Sequence, residues 1–295
     1  MLKEADISAN ERAFILDALH KNIRLDGRAL DQLRPLMVSF GNECGHVKLQ
    51  LGKTSVVVRI SAEVTKPHPE RENDGIFTVV VELNDMTSPA FKTGWQSEME
   101  TQLARILDRI IRRSNALDTE SLCIAAGKNC WHIRADVHVI DSDGGLVDSC
   151  CLAIMTALLH FRLSEAIVRE GRVIVFSPEE RVPSPLNLTK LPLSTTFNIY
   201  DEGRIIVLDA VSKEEAVSDG NLIIALNKTG ELALYIKSDG TPADPLSMIS
   251  CSNVALAKVN EMSKFISTKL EEDSKIREQK RQGVAESSAA NKRQL

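Results

Sequence analysis

The chain has 295 residues, 43% of them hydrophobic and 26% charged, enough apolar content to bury one large α/β unit or two fused ones. A net charge of −5 and a pI near 5.8 exclude a nucleic-acid binder that works through its overall field, so any such contact must come from a local basic patch or be shared with a partner. The six cysteines show no C-x-x-C spacing and no segment has the apolar length of a membrane span. Those features predict reduced, mostly buried thiols in a soluble intracellular protein with no membrane partner.

At the amino terminus Ser8 is a candidate N-cap with Glu11 at capping-box spacing, and Phe14, Ile15, Ala18 and Leu19 share one face. The pattern predicts an amphipathic helix over residues 7–21, the body of an N-terminal segment 1–22. Arg24-Leu25-Asp26-Gly27-Arg28 follows. It reads either as a turn whose arginines pair with nearby acids or as a basic site bent at Gly27. Segments rich in β-branched residues at Leu36–Phe40, His46–Leu51, Thr54–Val64 and Ile76–Leu83, with Gly and Asn between them, predict an antiparallel meander. Residues 66–75 form the polar loop before its last strand.

A helix is predicted over about 95–114. From Glu98 to Arg113 its residues separate: Met99, Leu103, Ile106, Leu107 and Ile110 fall on one side, while Arg105, Arg109 and Arg112 follow i, i+4, i+7 on the other, with Arg113 beside them. Guanidinium groups spaced this way can track a phosphate backbone, since the planar fork binds phosphate bidentately and keeps its charge. The competing interpretation is a solvated face paired with Glu98 and Asp108.

Cys130 to Ile140 alternates apolar and polar residues, predicting a strand with one buried face. His132 and His138 share its polar face but stand roughly 20 Å apart, too far to share a metal. His160, at the end of the following apolar helix, suits the helix C-terminus. That helix opens at Asp143-Gly144-Gly145-Leu146-Val147-Asp148. Paired glycines at a helix start can bring backbone N–H groups close to an anion. Here Leu146 and Val147 stand where a hydroxyl and a cation would help, and Asp148 adds charge of the wrong sign. Asp143 capping an ordinary helix is the alternative. Cys150, Ala153 and Ala157 along the helix predict close packing on a sheet.

Four prolines (Pro178, Pro183, Pro185 and Pro192) within fifteen residues mark an extended connection. Strands follow at Thr195–Tyr200, Arg204–Leu208, Leu222–Leu226 and Leu232–Ile236, with a turn of helix near Ser212–Val217. Asp209, Glu214, Glu215 and Asp219 form an acidic cluster that could hold Mg²⁺ or serve as general acids, or could be a solvated face. A long helix runs from about Pro245 to Glu272, and the polar, Ser/Ala-rich stretch 273–295 has the composition of a disordered tail. Strands then helices, twice over, predict two similar α/β halves, about 23–177 and 193–272, in one pseudo-symmetric domain spanning 23–272.

RLDGR (Arg24 to Arg28), the run from Ala116 to Trp131, DSDGGLVDSCCLAIMTALLHF (Asp141 to Phe161) and LDAVSKEEAVSDGNL (Leu208 to Leu222) together resemble the RNase PH family, and within it the noncatalytic ring subunits of the eukaryotic RNA exosome. The resemblance covers about residues 5 to 270. It implies the RNase PH fold (ribosomal protein S5 domain 2-like), built from two βαβ-type halves. Active members use inorganic phosphate to attack the 3′ end of RNA. By resemblance, Gly144, Gly145, Leu146 and Val147 form a degenerate phosphate site, Asp209 and Glu215 match the two catalytic acids, and Arg105, Arg109 and Arg112 lie on a helix that faces RNA.

An apolar pair cannot supply charge-assisted phosphate contacts, each worth about 1.5–3 kcal/mol. The resemblance therefore implies no catalytic residue, no resident metal and no cofactor. It implies ring partners of the same fold, cap proteins, single-stranded RNA and an associated hydrolytic nuclease, with work in nucleus, nucleolus and cytoplasm. An active phosphorolytic exoribonuclease using phosphate and Mg²⁺, and an interaction-only scaffold without RNA contact, are the rival functions.

Overall fold

The computed structural model describes residues 7–83, 98–169, 172–177, 180–238, 240 and 244–291. Part of the helix predicted from residue 95, Pro178, and residues 292–295 lie outside that set. Helix α1 (Ala9–His20) starts on the capping box its sequence spells, with Ser8 Oγ accepting from Glu11 N at 3.2 Å and Glu11 Oε2 accepting from Ser8 N at 3.3 Å. It buries only Ile15 and Leu19, in a small core with Tyr200, Val207 and Val217. Phe14, placed on the same face by spacing, is 65% exposed, while Leu16 is the α1 residue that packs on this core beside Ile15 and Leu19.

Strands β1 (Leu36–Phe40), β2 (His46–Leu51) and β3 (Thr54–Thr65) form the expected antiparallel meander. The next strand, β4 (Ile76–Leu83), does not extend it. After helix α2 (Glu98–Arg113) and the short β5 (Cys123–Ala125), strand β6 (Asn129–Asp141) enters between β3 and β4, antiparallel to β3 and parallel to β4. The order is β1-β2-β3-β6-β4, with β5 beside β6. Parallel neighbours need a long crossover, and α2 provides it while burying Leu103, Leu107, Ile110 and Ile111. Met99, expected on that face, is 46% exposed at the first turn.

Helix α3 (Leu146–His160) is buried at every position from Asp148 to Leu158, since β2 and β3 pack on it from one sheet and a strand of the second half from the other. Two covering layers explain why it carries Cys150, Cys151, Ala153 and Ala157: only small side chains admit backbone on both sides. Beyond it, β7 (Arg162–Leu163), the hairpin β8 (Ala166–Arg169) and β9 (Arg172–Val175), and β10 (Ser184–Pro185), which pairs with β7, make up the connection. The second sheet contains β11 (Leu193–Tyr200), β12 (Ile205–Leu208), β13 (Gly220–Leu226) and β14 (Leu232–Lys237) in the order β12-β11-β13-β14, all antiparallel. The single turn α4 (Ser212–Glu215) joins β12 to β13.

Helix α5 (Pro245–Asn291) lays Cys251, Ala255, Val259, Met262 and Ile266 into the core. Here the structure departs from the composition-based expectation, because the stretch after Glu272 stays helical to Asn291. Its first turn has a tertiary anchor. Asp273 accepts from Arg277 Nε at 2.5 Å, and Arg277 donates to the carbonyls of Gly41 and Asn42 at 2.5 and 2.9 Å. Composition could not reveal a partner loop 236 residues away.

Candidate functional site

The glycine turn lies where the two halves meet. Gly144 and Gly145 have φ of +83° and +65°, a region side chains disfavour. A Cβ on Gly144 would stand 2.6 Å from Ala210 O and 2.8 Å from Ser212 N, so this glycine lets backbone of the second half approach. Ser212 N donates to Asp143 O across the contact at 3.2 Å. Thr54 Oγ1, from the β2–β3 turn, donates to Gly144 O at 2.8 Å and accepts from Asp143 N at 3.0 Å. The amide that would greet an anion is taken: Gly145 N–H donates to Glu215 Oε1 at 2.8 Å.

Leu146 and Val147 pack against the main core. Asp148 does not repel anything at the cleft. It turns inward, where Oδ2 accepts from Thr196 N at 2.6 Å and Oδ1 from Thr196 Oγ1 at 2.9 Å, tying α3 to β11. Burial pushes its carboxyl up to about 7 against the lowering effect of the Thr196 bond.

The arginines of Arg24 to Arg28 are structural ion-pair partners. Arg24 is buried, with Nη2 donating to Glu214 Oε2 at 2.7 Å and to Asp209 O at 2.8 Å. Arg28 bonds Asp26 at 2.5 Å and Asp209 Oδ2 at 3.2 Å. The residue that organises the site carries no local sequence signal. Arg34 donates from Nη2 to Asp209 Oδ1 at 2.6 Å and to Gly144 O at 3.0 Å, and from Nη1 to Asp143 O at 2.6 Å. Asp143, Gly144 and Asp209 lie more than 100 residues along the chain from it, so only the fold could find it. Asp209 itself sits at φ +52°, and a side chain added to Gly145 would run into both Arg34 and Asp209.

The acidic cluster is thus divided rather than convergent. Asp209 faces Arg34 and Arg28, Glu214 faces Arg24, Glu215 caps Gly145, and Asp219 pairs with exposed Arg12 at 3.4 Å. Among the described residues no group of three or more His, Cys, Asp or Glu is arranged to hold a metal. Burial raises the Glu215 carboxyl, partly offset by the Gly145 bond and Arg34. Beside the turn opens a cleft of about 570 Å³ lined by Arg28, Arg34, Lys53, Asp143 and Lys213 among others.

Helix α2 presents Arg105, Arg109, Arg112 and Arg113 exposed, opposite its buried face. Arg112 is partly committed, with Nε on Asp108 at 2.7 Å and Nη2 on Phe77 O at 3.0 Å. Arg105 and Arg109 have no hydrogen-bond or ion-pair partner among the described residues. The histidines are dispersed: His132 meets Thr78, His138 meets Glu82, and His160 accepts from Gly45 N at 3.1 Å. His160 Nε2 lies 3.2 Å from Asp273 Oδ2 without hydrogen-bond alignment, and burial pulls the ring down to about 4.

Two halves, each a sheet with helices, joined across a Gly-Gly helix start that faces an acid pair, define a protein of the RNase PH class. The chain belongs to that family: residues 32–164 match the 3′ exoribonuclease family, domain 1, and residues 190–258 match its domain 2. It is similar to exosome complex component rrp45 of Schizosaccharomyces pombe, 41% identical over 94% of this chain and 96% of that protein. Exosome complex component RRP45 of Saccharomyces cerevisiae is 38% identical over 94% and 95% of the two chains. Among solved structures, a chain of the Archaeoglobus fulgidus exosome with RNA bound to the active site superposes with a TM-score of 0.76, at 28% identity over 86% of this chain and 97% of that one.

Proposed function

We propose that the chain is a non-catalytic structural and RNA-guiding subunit of an RNA exosome ring, working in 3′-to-5′ RNA processing and degradation, ribosomal RNA maturation included. Its partners are other RNase PH-like ring subunits, cap proteins and an associated hydrolytic nuclease, in nucleus, nucleolus and cytoplasm. Similarity over nearly the whole length to two yeast exosome components supports the assembly.

The observation that carries the lack of catalysis is the Glu215 carboxylate on Gly145 N–H. A phosphorolytic site needs that amide and neighbouring donors for an incoming phosphate, and transition-state charge must be met by donors already in place. Here the amide is satisfied by the chain's own carboxylate, the Leu146 and Val147 side chains add no donor, and Asp209 is neutralised by Arg34 and Arg28. An approaching phosphate would meet a carboxylate at the helix end. Asp209 and Glu215 act as structural acids in this reading, remnants of a catalytic pair.

RNA contact falls to Arg105 and Arg109, exposed and without a partner among the described residues, with Arg112 contributing from its Asp108 pair. Such contacts are non-specific and salt-sensitive. The test is incubation of the chain, then of the reconstituted ring, with RNA and inorganic phosphate. Nucleoside diphosphates are expected to be absent. Their release, abolished by Asp209→Asn, would overturn the non-catalytic assignment.

A further inference from the structure

Cys123 and Cys130 face each other across the β5–β6 hairpin as a directly paired register position. Opposed residues of an antiparallel pair have Cα atoms about 4.5–5.5 Å apart, inside the roughly 4.4–6.8 Å span that a disulfide bridges. Both thiols are free. Cys123 is partly exposed, whereas Cys130 is fully buried, with Thr65 Oγ1 4.0 Å from its sulfur on the other neighbouring strand. The pair therefore has an accessible thiol to meet an oxidant and a second one held alongside to resolve it.

We propose that Cys123 and Cys130 are a reversible redox site, closing to an intrachain disulfide by exchange with a small disulfide such as oxidised glutathione. The Cys123 thiolate attacks one sulfur of the oxidant, forming a mixed disulfide and expelling one glutathione thiolate. Cys130 then loses its proton and attacks the Cys123 sulfur, expelling the second. Two protein thiols lose two electrons and one glutathione disulfide gains them. Of the four remaining cysteines, Cys150, Cys151 and Cys251 are buried, with burial pushing the first two thiols up to about 12 and about 11, while Cys44 is partly exposed but lies between β1 and β2 with no cysteine opposite it in a strand register.

The position gives the bond a mechanical consequence. The hairpin tip is tied to the 66–75 loop through Gly127 N–H to Glu72 O at 3.0 Å, and Gly75 N–H reaches Thr119 O at 2.8 Å just before β5. The 66–75 loop and Thr119, to which the hairpin is adjoined, wall a cavity of about 430 Å³ lined by His68, Arg71 and Arg112 among others, where the α2 arginine row ends. Closing the disulfide would stiffen that wall. The inference is independent of ring assembly and of RNA contact, so it stands or fails separately from the proposed function.

The folded full chain is treated with oxidised glutathione, blocked with an alkylating agent under denaturing conditions and digested with trypsin. Cleavage at Arg113, Lys128 and Arg134 places the two cysteines in separate peptides, 114–128 and 129–134. The expected product is this peptide pair joined by a disulfide in most molecules and separated by reductant. In Cys130→Ser the expected product is Cys123 held as its glutathione mixed disulfide. Overturning results are a wild-type chain in which Cys123 carries glutathione while Cys130 stays alkylatable, or one in which both remain free thiols.

Discussion

Arg34 gives Asp209 both its backbone N–H, at 2.8 Å, and its guanidinium, at 2.6 Å, so a residue ahead of the first strand grips the acid of the second half from two sides. The Asp209 side chain is fully buried and that of Arg34 nearly so. Removing the Arg34 guanidinium leaves the buried Asp209 charge only its longer ion pair with Arg28 at 3.2 Å, and a stranded buried charge costs up to about 3–5 kcal/mol. Arg34→Met should therefore lower the unfolding free energy by that order in urea titrations. Adding Asp209→Asn, which keeps an acceptor for the Arg34 backbone N–H, should recover much of the loss. If the double variant is no more stable than the single one, the cost came from lost packing instead of stranded charge.

Two glycines with similar backbone angles should behave differently. Gly27 has φ +76° and open space where a Cβ would go, so Gly27→Ala should cost only the left-handed strain, about 1–2 kcal/mol. Gly144 adds contact with the Ala210–Ser212 backbone, which cannot move without parting the halves. Its alanine variant should show the larger shift in urea midpoint by a clear margin. Equal shifts would mean that the glycine is not needed for close approach.

Asp148 makes stability depend on pH in a direction unusual for a carboxylate. Its folded value near 7 lies above the ordinary 3.8, so its stabilising contribution is complete below pH 3.8 and is lost as pH rises toward 7. His160, lowered to about 4 from 6.5, acts oppositely: its contribution is complete above pH 6.5 and is lost as pH falls toward 4. The two slopes oppose each other between about pH 4 and 6.5. Asp148→Asn can keep both Thr196 bonds without the buried charge. It should raise Tm at pH 8 and leave a profile that climbs more steeply from pH 4 to 6.5. A variant profile parallel to wild type would show that Asp148 is ionised throughout.

In the assembled ring, Arg105→Glu with Arg109→Glu should weaken single-stranded RNA binding and flatten its salt dependence. Each lost phosphate contact removes about 0.7 from the slope of log affinity against log salt. An intact ring with an unchanged slope and unchanged crosslinking would favour an interaction-only role.

The helical register of 273–291 depends on its anchor. Arg277→Ala removes the bonds to Gly41 and Asn42, and amide exchange after residue 272 should speed up while α5 residues 251–266 stay protected by the core. Protection after residue 272 unchanged in Arg277→Ala would assign the helix to its own propensity.

Much of this protein is decided locally. Alternation along Cys130–Ile140, the apolar stripe from Leu103 to Ile110 and the capping box at Ser8 each report the immediate environment of a short segment, because side-chain period follows backbone geometry. The Gly144-Gly145 turn, the apolar Leu146 and Val147 after it, and the arginine row on α2 were legible for the same reason. What sequence could not decide was every choice between partners far apart in the chain. β4 pairs with β6 instead of β3, Asp148 points at Thr196 instead of the cleft, and four clustered acids part toward Arg34, Arg24, Gly145 and Arg12. Pairing energies of buried charges depend on three-dimensional neighbours and desolvation, neither of which is encoded in spacing. The sequence alone thus determined a glycine pair followed by two apolar residues at the start of a helix. Only the tertiary structure showed that the Gly145 amide is bonded by Glu215, since that contact joins residues 70 positions apart across the interface of the two halves.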